Sequence, residues 1–275
     1  MNYRTKAIIG GSLLAILFFL FAFGSLCIHV DPCATSLASK NMPPSLDHWF
    51  GTDELGRDLF ARTVHGMRLS ITIGLLAAII DLGIGTVWGC VAAFSSKRVE
   101  WIMMRTAEVV YSMPYLLFVI LASVFLGTGL VSIVVAMVCI GWIQMARVVR
   151  LLVREAQVSE YVQAAVALGV PPVRLFFCHI VPNIIGPVIA VCMLSVPHAI
   201  FVEAFLSFLG IGIQPPAASL GSMVGDAIPA MRYYPWRLFF PASFISLLIF
   251  SIMLLSDSLR DVYDPKQRIK KGKHN

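Results

Sequence analysis

Charge is what this 275-residue chain has least of. Asp, Glu, Lys and Arg together make up 13% of it, about half the share of a soluble domain. So few charges cannot solvate a surface of ordinary size, which leaves lipid to cover much of the molecule. Chemical motifs are also missing. There is no GxxxxGK[ST], hence no phosphate-cradling loop of its own. There is no HExxH and no GxSxG, and no catalytic pair suggests itself within the apolar segments. The six cysteines (Cys27, Cys33, Cys90, Cys139, Cys178 and Cys192) form no CxxC, and the six histidines show no ligand spacing, so no metal site is expected. Cys27 and Cys33 lie close in sequence, and one reading pairs them; the other leaves every cysteine a small hydrophobe.

What is present is apolar sequence. Hydrophobic residues fill 58% of the chain. They gather into six runs, at about 7–30, 69–94, 106–127, 130–148, 184–208 and 239–257. Each is long enough to approach a hydrocarbon core of roughly 30 Å at about 1.5 Å per helical residue. The first run exceeds the 7–15-residue apolar core of a signal peptide. A retained anchor is expected there, although "ATSLAS" at 34–39 has the small residues of a cleavage site. The expected fold is an all-α membrane protein of about six transmembrane helices.

The net charge of +6 would suit nucleic acid, but the positive residues segregate. With the N-terminus inside, the cytoplasmic flanks hold 15 of the 21 Lys and Arg, among them Arg4, Lys97, Arg147, Arg150, Arg154, Arg174 and the basic tail. The outer flanks hold Lys40, Arg57, Arg62, Arg68, Arg232 and Arg237. That bias sets orientation and places both termini in the cytoplasm.

The break between the fourth and fifth runs is patterned. From 155 to 168 good helix formers dominate, with Val158, Val162, Ala165 and Gly169 on one face and Tyr161, Ala165 and Leu168 beside it. Gly169 suits a left-handed helix end. Pro171 and Pro172 suit the first turn of a second short helix. A helix, a sharp turn and a helix should therefore project on the basic side. One reading docks this knob into a partner's groove; the other lays it on lipid headgroups.

A resemblance bears on that choice. "QAAVALG" followed by "HIVPN" resembles the EAA motif of membrane subunits of ABC importers. Gln163, Ala164, Ala165, Gly169 and Pro182 fit its spacing; Gln163 stands where Glu is usual and Val181 where Leu is usual. "HWFGTDELGRDLFARTVHGMRLSI" at 48–71, "FLSFLGIGIQPPAASLGSMVGDA" at 205–227 and "DSLRDVYDPKQR" at 257–268 resemble the C-type permeases of dipeptide, oligopeptide and nickel transport systems. The resemblance implies a type I ABC importer permease fold in the bacterial cytoplasmic membrane. It implies a second, homologous permease subunit, two cytoplasmic ATPases that use ATP and Mg and dock on the EAA loops, and an external binding protein. This chain would bind no cofactor itself and would be no enzyme. The expected cargo is a di- or oligopeptide, with nickel or a nickel chelate as the alternative. An ATP-independent secondary transporter is a further alternative, for which no convincing inverted repeat is visible.

The expected organisation is an N-terminal helix with an external amphipathic segment (1–68), a permease core of five helices (69–260) with the EAA loop at about 150–183, and a basic tail (261–275). Outside the motif, Asp53 with Arg57 and Asp58 with Arg62 form i, i+4 pairs. They read either as a capped external helix, with Thr52 or Asp53 as cap, or as a contact for the binding protein. Asp81 and Glu203 lie within apolar runs, where a carboxylate is costly unless it meets a cavity or a partner. They read as translocation-pathway residues or as structural ones. Gly85 and Gly89 form a GxxxG that serves a subunit seam or packing within the chain. The loop at 210–221, with Pro215 and Pro216, reads as an outer gate or a rigid connector.

Overall fold

A computed structural model of the protein describes residues 3–27 and 31–263. Its elements are α1 (Tyr3–Cys27), α2 (Leu59–Phe94), α3 (Lys97–Ser112), α4 (Tyr115–Leu126), α5 (Leu130–Gln157), α6 (Glu160–Ala167), α7 (Pro172–Leu175), α8 (Val181–Phe208), α9 (Leu220–Ala227) and α10 (Trp236–Tyr263). Short 3₁₀ turns at Leu37–Ser39 and Ile228–Ala230 and a π turn at Phe176–Ile180 complete it. Among the described residues there is no β-strand, only an isolated bridge between Thr52 and Asp58. The basic tail beyond 263 and the Cys27 side chain, hence its pairing with Cys33, lie outside the described residues.

Among the described residues, four helical stretches are long and apolar enough to cross a membrane: Leu59–Phe94, Leu130–Gln157, Pro172–Phe208 and Trp236–Val262. A fifth is a bent pair. The run expected as one span at 106–127 is instead two helices, α3 and α4, at 81° to each other. The cause is Pro114. It lacks an N–H, and it pushes Met113 out of the helical region, to φ −73° and ψ 142°. The first expected span coincides with α1 over 7–27. The expected domain edge at 68–69 falls inside α2, whose 36 residues run unbroken from the outer segment into the core.

α2 is the hub. It packs most extensively on α5 and also on α8, while α10 joins α1 to α8. Ile73, Ala77, Ile133, Ala136, Ala199 and Leu206 close one core, and Met67, Ala78, Ile200, Leu220 and Leu248 a second. The α2–α5 seam explains the GxxxG. A Cβ at Gly85 would stand 2.6 Å from the Met145 Cβ and 2.7 Å from the Trp142 carbonyl oxygen; one at Gly89 would stand 2.6 Å from the Ala146 oxygen. The motif therefore serves packing within this chain. Gly83, on the same helix, has nothing within 4 Å of an added Cβ. Gly85→Ala is expected to lose about 1–3 kcal/mol by overpacking. Gly83→Ala should be neutral or gain up to about 1 kcal/mol in helix propensity. Melting of the two purified variants in detergent checks the pair; equal shifts would contradict this seam.

Candidate functional site

Three places hold the residues singled out by sequence. The first is the segment 158–182. α5 ends where Ser159 turns its hydroxyl onto the Ala156 carbonyl at 2.5 Å and Val158 leaves helical geometry. Serine competes with the helix ladder in this way, so the single helix expected over 155–168 is two. α6 ends at Gly169, whose φ of +77° is the left-handed value that favours glycine. The Val170 N–H reaches back to the Ala165 oxygen at 3.1 Å. α7 starts at Pro172, runs through the π turn and joins α8, with Pro182 in its first turn.

The expected apolar face divides at that break. Val162 and Ala165 turn inward and share one core with Met145, Val149, Val153, Leu175, Ile180 and Ile184. Val158, Leu168, Val173 and Phe177 turn outward, 71%, 84%, 70% and 63% exposed. Gln163, Ala164, Gly169 and Pro182 are also exposed, and the Gln163 amide donates to the Val158 carbonyl at 3.0 Å. A polar clamp that the sequence reading missed steadies the base of the knob. Glu100 on α3 pairs with Arg150 at 2.8 Å and with Arg154, one helical turn on. The i, i+4 spacing of the two arginines on α5 was the available signal.

The second place is within the bundle. Asp81 lies at the wall of a cavity of about 330 Å³ between α2, α4, α5 and α8. Glu203 does not line it. Glu203 is wholly buried; its oxygens accept from Ser70 at 2.6 Å and Ser207 at 2.8 Å. In this structure it latches α8 to α2 through Ser70. Tyr115, Gln144, Ser195 and His198 share the cavity with Asp81 and were not singled out by sequence.

The third place is the opposite end of the bundle from the knob. Asp53 and Arg57 pair at 2.6 Å, but on a loop rather than a helix. One Asp53 oxygen accepts the Leu55 and Arg57 amides at 2.9 Å each, and the other lies 3.6 Å from Arg62. Asp58 does not pair with Arg62. It caps α2 by accepting from the Ala61 N–H at 2.8 Å and meets His48 at 2.8 Å. Arg237 reaches Asn41 at 3.2 Å and Glu54 at 3.3 Å. Asp53, Arg57, Asp58 and Arg62 are all buried in this chain. They fasten residues 40–58 onto α2, α9 and α10. Residues 209–219 fold back beside them, with Ile213 in the core next to Val119 and Leu206. Among the described residues no group of His, Cys, Asp and Glu could hold a metal ion.

Residues 85–269 match the family described as the inner membrane component of binding-protein-dependent transport systems. The chain is similar to the oligopeptide transport system permease protein OppC of Bacillus subtilis, with 47% identity over 98% of this chain and 88% of the relative. It is 48% identical to the dipeptide transport system permease protein DppC of the same organism, over 93% of this chain and 81% of the relative. Among solved structures, an inward-facing form of the MetNI methionine ABC transporter covers 74% of this chain and 96% of its own at a TM-score of 0.62. At 14% identity that likeness shows the fold alone.

Proposed function

The chain belongs to the family of binding-protein-dependent transport system inner membrane components, and from that premise we propose that it is the C-type permease subunit of an ABC importer for di- and oligopeptides in the bacterial cytoplasmic membrane. The near-half identity to two peptide permeases over almost the whole chain carries the cargo class. The knob supports the mechanism. Exposed Val158, Leu168, Val173 and Phe177 lie on and beside the helix–turn–helix of α6 and α7. Such a surface suits an apolar groove on a protein partner better than water. The arginine bias puts it in the cytoplasm.

In this reading two partner ATPases bind and hydrolyse ATP with Mg and grip the knob of this chain and that of a second permease. Closure of the ATPases draws the knobs together, and the bundles alternate between inward-open and outward-open. The coupling residues are Gln163, Ala164, Ala165, Gly169 and Pro182. Gln163 offers a hydrogen-bonding amide and no charge. A binding protein delivers peptide at the end that carries residues 31–58 and 209–235. Uptake of labelled dialanine by cells that carry or lack this chain tests the reading. Uptake should require the chain and collapse on ATP depletion with the ion gradients held. Uptake that survives ATP depletion would overturn it.

A further inference from the structure

The cavity beside Asp81 has a property that its lining makes unusual. Asp81 is 8% exposed, and its Oδ1 is buried without a hydrogen-bond partner. The Tyr115 hydroxyl on the same cavity is likewise buried and unpartnered. Other polar groups there are already engaged. The Gln144 amide donates to the Tyr111 hydroxyl at 2.8 Å, and the Ser195 hydroxyl turns to the Val191 carbonyl at 3.4 Å. No Lys or Arg lines the cavity; His198 is its one basic residue. Gly141 on α5 makes room for the carboxylate, since a Cβ there would collide with it. A buried carboxylate left without a donor is costly unless something supplies one.

Size narrows the missing donor. About 330 Å³ is far more than the roughly 10–15 Å³ that admits one water, and it lies in the range of small-molecule sites. The remaining wall is apolar, with Met137, Ile140 and Val202 facing the same space. The matching guest has one compact cation with several donors and a variable, partly apolar remainder. A primary ammonium gives three donors, enough for the carboxylate and the tyrosine oxygen together.

We propose that Asp81 and Tyr115 form an intramembrane subsite for the amino-terminal ammonium of the transported peptide. The proposal rests on the peptide-permease reading and assigns that reading a contact inside the bundle. It makes the permease itself a selector for a free amino terminus, on the charge of Asp81. The side chain of the first residue would lie against the apolar wall.

The test uses the full chain purified into nanodiscs, with saturation-transfer NMR on millimolar dialanine and N-acetyl-dialanine. Dialanine should give a signal that falls about tenfold in Asp81→Asn, as expected for losing a hydrogen bond to a charged group. Asp81→Glu should restore much of it, and the acetylated peptide should give little signal with any chain. Unchanged melting of Asp81→Asn checks that the fold survives; if it does not, Tyr115→Phe, which removes the other unpartnered group of the subsite, carries the test, and its dialanine signal should fall. Equal signals from the two peptides, an unaffected Asp81→Asn, or no dialanine signal from the wild-type chain would each overturn the subsite. ATP-dependent peptide uptake that persists alongside such a result would leave the permease reading standing.

Discussion

Leu168→Glu is expected to cut peptide uptake about a hundredfold while leaving the chain folded and in the membrane. Leu168 is 84% exposed at the tip of the knob, so its replacement removes almost no internal packing. Surface changes of this kind cost within about 0.5 kcal/mol of stability. In a docked apolar groove the same carboxylate must lose its water without a partner, which costs several kcal/mol. At about 1.4 kcal/mol per factor of ten, a loss near 2.7 kcal/mol gives the hundredfold. Co-purification should show the ATPases lost from the variant and the second permease retained. Gly169 separates two effects at the next position. With nothing within 4 Å of an added Cβ, a side chain at Gly169 meets only its own backbone strain inside this chain. That strain is about 1–2 kcal/mol for alanine, and less for asparagine, which tolerates the left-handed region. A bulky residue there that blocks uptake beyond the alanine effect does so at the partner. Normal uptake by Leu168→Glu would show that the knob does not dock through this surface.

Asp53→Ala should cost about 3–5 kcal/mol of stability, the loss typical when one member of a buried ion pair is removed. Two guanidiniums depend on this carboxylate, Arg57 at 2.6 Å and Arg62 at 3.6 Å, and both arginines are buried. Arg62 already has one terminal nitrogen without a partner. The alanine also frees the Leu55 and Arg57 amides. Asp53→Asn keeps an oxygen for those amides but loses the charge and turns an amide donor toward the Arg57 Nε–H, so it should fall between alanine and wild type. Thermal melting in detergent measures the series. A loss under about 1 kcal/mol for alanine would mean that water replaces the carboxylate.

How much of this was legible follows the range of each interaction. Gly169 was readable because a left-handed helix end is a local demand of one residue on its own backbone. The Asp53–Arg57 pair was readable from spacing, yet its scaffold was not: the carboxylate folds a loop around itself by taking two backbone amides, where the pattern suggested a helix. Pro114 was visible, but the apolar run on either side outweighed it, and the bend went unseen. The inward and outward faces of 158–168 were mixed because Ser159 breaks the helix and resets its phase. Asp81 and Glu203 looked alike in sequence, each a carboxylate in an apolar run. What separates them is Ser70, 133 residues from Glu203, which no local pattern reports.

The core that joins Val162 and Ala165 to Val149, Val153, Leu175 and Ile184 has a mechanical consequence. The knob has no separate interior; its stuffing is the stuffing of α5 and α8. A push on its tip cannot be absorbed by a slack hinge, because close-packed interiors are stiff. In the proposed cycle it would arrive as a tilt of the two long helices that border the Asp81 cavity. The knob would then act as the short arm of a crank forged in one piece with its shaft, so that a small stroke at one end would change the shape of the chamber at the other.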